Sequence, residues 1–268
     1  MTPQAAAALR CPVCGGALMP LGTSLRCPQG HSYDMAKEGY VNLLAIQKRH
    51  AADPGDGKAM VRARRAFLQA GYYAPFQKAL AELCLEYAPE CGETHLLDAG
   101  CGEGSYDRVV YDAFAAQGRP CVLAGFDLSK DAIRLAAKLL PEAAFAVGGS
   151  FSAPVRDGWA DVLLNIFSPF AGQEFCRVLR SGGVLLYADR RAHRDGYHHG
   201  GGRPDPQPVC HDPLFLENPA RRGTPPCGKA EPDDRNRLPL PCLPPGIMEQ
   251  KVKAIPHNSK CRSRRSGA

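Results

Sequence analysis

Two groups of residues in this chain have types and spacings that could do chemistry. The first is Cys11-Pro-Val-Cys14 followed, after twelve residues, by Cys27-Pro-Gln-Gly-His31. A C-x2-C pair and a C-x3-H pair bring four soft or borderline ligands to a tetrahedral zinc ion, and a closed set of four makes the ion structural. Pro12, Gly15, Gly16, Pro28 and Gly30 supply tight turns beside the ligands, so backbone N–H groups can point at thiolates. A module of about 40 residues holds too small a core to fold alone, and the metal would supply folding energy. A disulfide or a redox C-x-x-C is the competing assignment. Against it, the opening residues have no basic-then-apolar leader and no strand runs into the motif. Cys84, Cys101, Cys121 and Cys176 lack ligand spacing and read as small buried apolar residues.

The second group is a glycine turn. His95–Ala99 reads as a short buried strand, Gly100-Cys-Gly102-Glu103-Gly104 follows at once, and residues from Tyr106 to Phe114 have helical periodicity. Glycines let backbone approach a ligand closely, and the helix start offers unpaired N–H groups. Cys121–Asp127 is a second strand, ending in a carboxylate 23 residues after Gly104, where an acid can hold the two hydroxyls of a ribose. Ser129 caps a helix with Ile133, Ala136, Ala137 and Leu140 on one face. Ala144–Val147, Asp161–Ile166 and Gly183–Ala188 are apolar throughout, as buried parallel strands are.

A dehydrogenase has a similar turn, so the glycines alone do not decide. Here the pattern is Asp98-x-Gly-x-Gly-x-Gly, with an acid closing the second strand, Asn165 after the fourth and Gly182-Gly183 before the fifth. That set resembles the class I S-adenosylmethionine-dependent methyltransferases. The expected fold is an α/β, Rossmann-like sheet, truncated, with an N-terminal zinc-ribbon or knuckle module.

The segment between the two groups narrows the resemblance. It contains Tyr33-Asp-Met-Ala-Lys-Glu-Gly-Tyr-Val-Asn-Leu-Leu44, Asp53-Pro-Gly-Asp56, and Met60 through Arg64-Arg65-Ala-Phe-Leu-Gln-Ala-Gly-Tyr-Tyr73. With the Cys/His pattern and the Leu-Asp-Ala-Gly-Cys-Gly-Glu-Gly-Ser-Tyr turn, it resembles the bacterial 23S ribosomal RNA guanine-N1 methyltransferases of the RlmA type over about residues 11–188. The resemblance implies zinc on Cys11, Cys14, Cys27 and His31, and S-adenosylmethionine on Tyr73, Asp98, Gly100, Gly102, Glu103, Gly104 and Asp127. It also implies a cytoplasmic enzyme, a possible homodimer, acting on a guanine in a 23S rRNA hairpin loop.

Single-stranded loop bases can be splayed out and stacked on aromatics. Lys48, Arg49, His50, Lys58, Arg62, Arg64 and Arg65 form a basic connector suited to phosphates, or simply a solvated helix face. The sulfonium methyl is already activated, so the protein mainly aligns donor and acceptor. Guanine N1 must lose a proton, and no general base is assigned. Asn165 and the loop Phe167-Ser-Pro-Phe170 stand where such enzymes hold the acceptor; Asn165 could orient but not deprotonate, and Asp161 reads as a satisfied strand-edge carboxylate. Two other functions share these residues: a small-molecule methyltransferase, and a non-catalytic zinc-containing RNA-binding protein. Small acceptors need neither a zinc module nor a basic connector.

Charge and composition divide the chain further. Its 268 residues carry a formal +6, yet residues 1–188 hold 18 basic and 18 acidic groups, so the excess lies entirely in the last 80 residues. Residues 1–70 are nevertheless +5 and residues 71–188 are −5, which puts the anion-binding end at the front. No apolar run reaches the ~18 residues of a membrane span. The expected layout is a zinc module at 1–45, a basic helical connector at 46–90, an incomplete methyltransferase domain at 91–188 and a Pro/Gly/Arg-rich tail at 189–268. That tail holds 13 of the 24 prolines and has too few large apolar residues for a core. It reads as either a disordered basic tail that clings to RNA or a stretch out of frame, and the sheet, missing its last strands, is expected to have an exposed edge. With plausible codons, His211–Pro219 shifted by one base spells Met-Thr-Pro-Tyr-Phe-Trp-Lys-Thr-Pro, similar to a segment in the C-terminal part of the resembled family, so the tail reads as out of frame.

Overall fold

The computed structural model describes residues 1–44 and 55–188 and the backbone of 252–256. Within the first stretch a short helix, α1 (Pro3–Ala6), precedes three short strands, β1 (Met19–Leu21), β2 (Ser24–Arg26) and β3 (Ser32–Asp34), paired antiparallel in that order. A fourth, β4 (Tyr40–Asn42), leaves this small sheet and joins the large one. Two helices follow, α2 (Lys58–Gln69) and α3 (Ala74–Tyr87). Then strands and helices alternate: β5 (Thr94–Ala99), α4 (Ser105–Ala116), β6 (Cys121–Asp127), α5 (Lys130–Leu139), β7 (Ala144–Val147), β8 (Ala160–Ile166), α6 (Gly172–Val178) and β9 (Leu179–Ala188).

The large sheet has seven strands in the order β10-β9-β8-β5-β6-β7-β4, where β10 is Val252–Pro256. From β9 to β4 every pairing is parallel. The order reverses beside β5, because the chain moves outward through β6 and β7 and then returns to β8. Ligands of open α/β sheets bind at the carboxyl ends of strands at such a switch point. The glycine turn follows β5 directly.

Both faces of the sheet are covered, which explains the unbroken apolar strands. On one face Leu96, Leu123, Phe145, Val162 and Leu164 pack under Phe76 and Leu80 of α3, Val110 and Phe114 of α4 and Ile133 and Ala136 of α5. On the other, Leu97, Ala124, Ala144, Ala146 and Leu163 meet α1, α6 and the zinc module itself through Leu9, Leu18, Leu25, Cys11 and Cys27. Small residues at 124, 144 and 146 leave room for the equally small Ala5 and Ala6 of α1 to lie close. Leu9, Leu18 and Leu25 are fully buried, and each contributes about 1.5–3 kcal/mol. The zinc module is therefore a structural layer of the α/β domain.

Two expectations change. Residues 1–45 do not end before the sheet begins, since Tyr40, Val41 and Asn42 pair with Phe145, Ala146 and Val147. The expectation of an open edge at β9 is also corrected: Val252–Pro256 lies antiparallel along Ala188–Val184. The edge of β9 offers unpaired backbone groups, and five residues are too few to display a period in the sequence. Pro256 closes that strand, an edge position that tolerates a missing N–H. The remainder of 189–268, and Lys48, Arg49 and His50 of the basic connector, lie outside the described residues.

Candidate metal and cofactor sites

The four expected metal ligands converge. One ligand atom from each of Cys11, Cys14, Cys27 and His31 lies within 4.8 Å of all the others. Cys14 Sγ and Cys27 Sγ are 3.6 Å apart, and His31 Nδ1 stands 3.3 Å from Cys27 Sγ and 3.6 Å from Cys11 Sγ. Zn–S and Zn–N bonds of tetrahedral geometry would place ligands roughly 3.5–3.8 Å apart, so the donor set fits zinc. Two backbone turns build it, with Gly15 N–H donating to Cys11 O (2.8 Å) and Gly30 N–H to Cys27 O (2.9 Å). Burial acts to raise the Cys11 thiol, but hydrogen bonds from Tyr33 and from backbone N–H groups outweigh it and bring it down to about 7. Tyr33 Oη lies 3.1 Å from Cys11 Sγ and can orient a thiolate from outside the ligand set.

At the second site the glycine turn is held open from both sides. Gly100 (φ 91°) and Gly104 (φ 85°) take left-handed conformations. A Cβ on Gly100 would run into the Ser168 side chain, and one on Gly104 would come within 3.0 Å of Ala136 Cβ. The turn is locked to the second strand, because Asp127 accepts from Gly102 N–H (3.1 Å) through one oxygen and from Ser129 N–H (2.7 Å) through the other. A carboxylate has about four acceptor positions, so capacity remains for two hydroxyls. Burial raises the Asp127 carboxyl, and the two backbone donors oppose that rise. Glu103 is buried and accepts from the Ser105 hydroxyl.

Beneath the turn the environment is acceptor-rich. Asn165 is fully buried and donates to Ala99 O at 2.9 Å. Its Oδ1 and Asp98 Oδ1 have no hydrogen-bond partner among the described residues. Two buried acceptors without donors suit an ammonium group, which S-adenosylmethionine has at its amino-acid end. Tyr73, at the start of α3, meets Phe167 edge-on at 6.2 Å, while Phe76 stacks on Phe167 at 5.7 Å and meets Tyr106 at 5.8 Å. These rings form one cluster between α3, the start of α4 and the loop after β8. Asp161 lies apart from them: it accepts from His95 N–H (2.8 Å) and pairs with Arg180.

Three features escape the sequence. Asp107, on the first turn of α4, is fully buried against Asp98, where an acid so placed usually faces water. Phe167 is the one non-glycine residue at positive φ (55°) among the described residues, and nothing in its type announces that. Gly55 lies against the cofactor side, where a Cβ would come within 2.8 Å of Ser129 N. Next to it Asp56 accepts from Ser129 Oγ (2.8 Å) through its carbonyl and pairs with Arg64 (2.6 Å) through its carboxylate. The Asp-Pro-Gly-Asp motif could have suggested a tight anchoring turn. Of the cysteines read as buried, Cys84 and Cys101 are so, while Cys121 and Cys176 are half-buried.

A doubly wound sheet, a glycine turn at its switch point and an acid closing the next strand define a class I S-adenosylmethionine-dependent methyltransferase fold, here layered against a zinc ribbon. Residues 9–52 match the family model of the RlmA N-terminal zinc ribbon. The chain is 40% identical over 180 residues to the 23S rRNA (guanine(748)-N(1))-methyltransferase of Streptomyces fradiae, covering 66% of this chain and 61% of that protein. A protein of Micromonospora griseorubida named for 23S rRNA guanine-N1 methylation is 40% identical over 203 residues, 69% of this chain and 66% of that one. A Bacillus subtilis protein named likewise is 35% identical over 183 residues, 66% of this chain and 62% of its own. Over the part that it shares with these relatives the chain is similar to the RlmA-type enzymes. It spans just under two thirds of their length.

Proposed function

We propose that the chain transfers a methyl group from S-adenosylmethionine to N1 of a guanine in a 23S rRNA hairpin loop, acting in the cytoplasm. The observation that carries this reading is the joint between connector and cofactor site. Asp56 touches Ser129, whose N–H is held by Asp127, so the chain entering the basic helix is anchored on the ribose-binding corner. The coupling ties the basic helix to the cofactor site, and the relatives' names support the rRNA reading.

S-adenosylmethionine, when bound, supplies an electrophilic methyl group. The chain's own residues do the rest. Asp127 would hold the ribose hydroxyls, the turn at 100–104 would give backbone room and N–H groups, and Tyr73 and Glu103 would complete the cofactor contacts. Asp98 Oδ1 offers a lone pair to the ammonium group. Asn165 fixes the Ala99 carbonyl and sets where the loop 167–170 begins, so it positions the acceptor side from below. Zinc on Cys11, Cys14, Cys27 and His31 holds the ribbon rigid and takes no part in the transfer. No helix among the described residues is long and apolar enough to cross a membrane. Transfer of labelled methyl to unmodified 23S rRNA tests the proposal. The expected result is incorporation into rRNA that Asp127→Ala abolishes; incorporation only into small metabolites would overturn it.

A further inference from the structure

Helix α2 has an unusual surface for an element of a packed domain. Of its twelve residues only Val61 and Leu68 are buried. Lys58, Arg62 and Arg65 follow at four- and three-residue spacing and share one flank. Met60 and Phe67, seven apart, share the opposite flank, and the exposed Ala59, Ala63 and Ala66 form a low ridge between. Arg64 is paired with Asp56, whereas Lys58, Arg62 and Arg65 have no carboxylate partner among the described residues. The helix contains no acidic residue.

The apolar flank continues beyond the helix. Phe67 stacks on Tyr72 at 4.8 Å with 22° between planes, and both rings are about half exposed, 43% and 51%. Phe67 also meets Tyr73 edge-on at 5.6 Å, and Tyr73 meets Phe167, next to the Ser168 that lies against Gly100. A row of rings thus runs from open surface to the cofactor turn. Exposed aromatics cost free energy unless something covers them, and three cations without carboxylate partners among the described residues stand a helix-width away. A single RNA strand suits both, with phosphates on one side of the ridge and bases on the other.

We propose that the Phe67–Tyr72 pair is the platform on which an unpaired base next to the methylated guanine stacks, while Lys58, Arg62 and Arg65 hold the phosphates across the alanine ridge. This rests on the rRNA reading and deepens it by naming the surface that holds the loop open. Tyr72 is not among the cofactor contacts, whereas Phe67 meets Tyr73, so Tyr72→Ala is the variant that leaves cofactor binding intact.

The test uses 23S rRNA stem-loop fragments with single 2-aminopurine substitutions in the loop, added to the full chain. Stacking on the platform is expected to change the fluorescence of one loop position. Phe67→Ala and Tyr72→Ala are expected to remove that change and weaken binding by about tenfold each, with thermal stabilisation by S-adenosylhomocysteine unchanged in Tyr72→Ala. Tyr72→Trp should restore both, which a merely structural role would not require. Lys58→Ala with Arg62→Ala should flatten the salt dependence and keep the fluorescence change. Alanine variants that bind and report like the wild type overturn the platform while leaving the rRNA reading standing. A wild-type chain that binds anionic phosphatidylserine vesicles and none of the RNAs overturns both.

Discussion

Asp107 stands at the third position of α4, where an acid normally faces solvent and complements the helix dipole. Here it is buried beside Asp98, and neither of its oxygens finds a donor among the described residues. Two carboxyls in that position can hydrogen-bond only by sharing a proton. Burial accordingly pushes Asp98 up to about 7 and raises Asp107 well above the usual carboxylate range. A carboxyl whose pKa is raised on folding binds more protons in the folded state, so stability is full below the unfolded pKa near 4 and falls as pH rises toward 7. Without cofactor, the melting temperature should therefore drop across pH 4–7. Asp107→Asn, which donates an amide to Asp98, should reduce that slope and raise the melting temperature near pH 8 by about 2–4 °C, the effect of roughly 1 kcal/mol in a domain of this size. A slope unchanged by the substitution would show that the pair does not share a proton. At the proposed ribose corner, Asp127→Asn keeps the shape but exchanges one acceptor for a donor, and calorimetry should show S-adenosylhomocysteine affinity reduced by tenfold or more.

At the scale of elements, the zinc ribbon is joined to the large sheet rather than appended to it. Strand β4 forms the edge beside β7, and the buried Leu18, Leu25, Cys11 and Cys27 share one core with Leu97 and Ala146. Removing zinc with a chelator, or substituting Cys27→Ala, should lower the melting temperature and weaken cofactor binding together, because ribbon and sheet unfold as a unit. A protein that keeps full cofactor affinity after losing its metal would contradict the shared core. The Cys/His spacing and the strand–turn–helix pattern made the ribbon and β5 to β9 legible in the sequence, since each is a local signal. The place of β4 was not legible: three residues, Tyr40–Asn42, carry no period, and their partner β7 lies more than a hundred residues away. The burial of Asp107 and the turned backbone of Phe167 were hidden for the same reason. Both are set by what packs against them, Asp98 in one case and the rings of Tyr73 and Phe76 in the other.

Over the whole molecule, a net-neutral stretch of 188 residues with a +5 front is followed by a basic, proline-rich tail. The described part has the cofactor corner, the ribbon and a basic, aromatic-flanked helix in one assembly. If residues 189–268 arise from a shifted frame, resequencing the gene should reveal an inserted or deleted base upstream of His211; a frame confirmed as written would end that idea. The central claim is narrower and can be measured on this chain. Methylation at guanine N1 removes a Watson–Crick donor, so reverse transcriptase stops one nucleotide before the modified base. Primer extension along 23S rRNA, after incubation of unmodified rRNA with the chain and S-adenosylmethionine, should give a new stop at one guanine in a hairpin loop, absent with Asp127→Ala. Labelled methyl incorporated into rRNA without any such stop, or no incorporation alongside transfer to a small acceptor, would contradict the account.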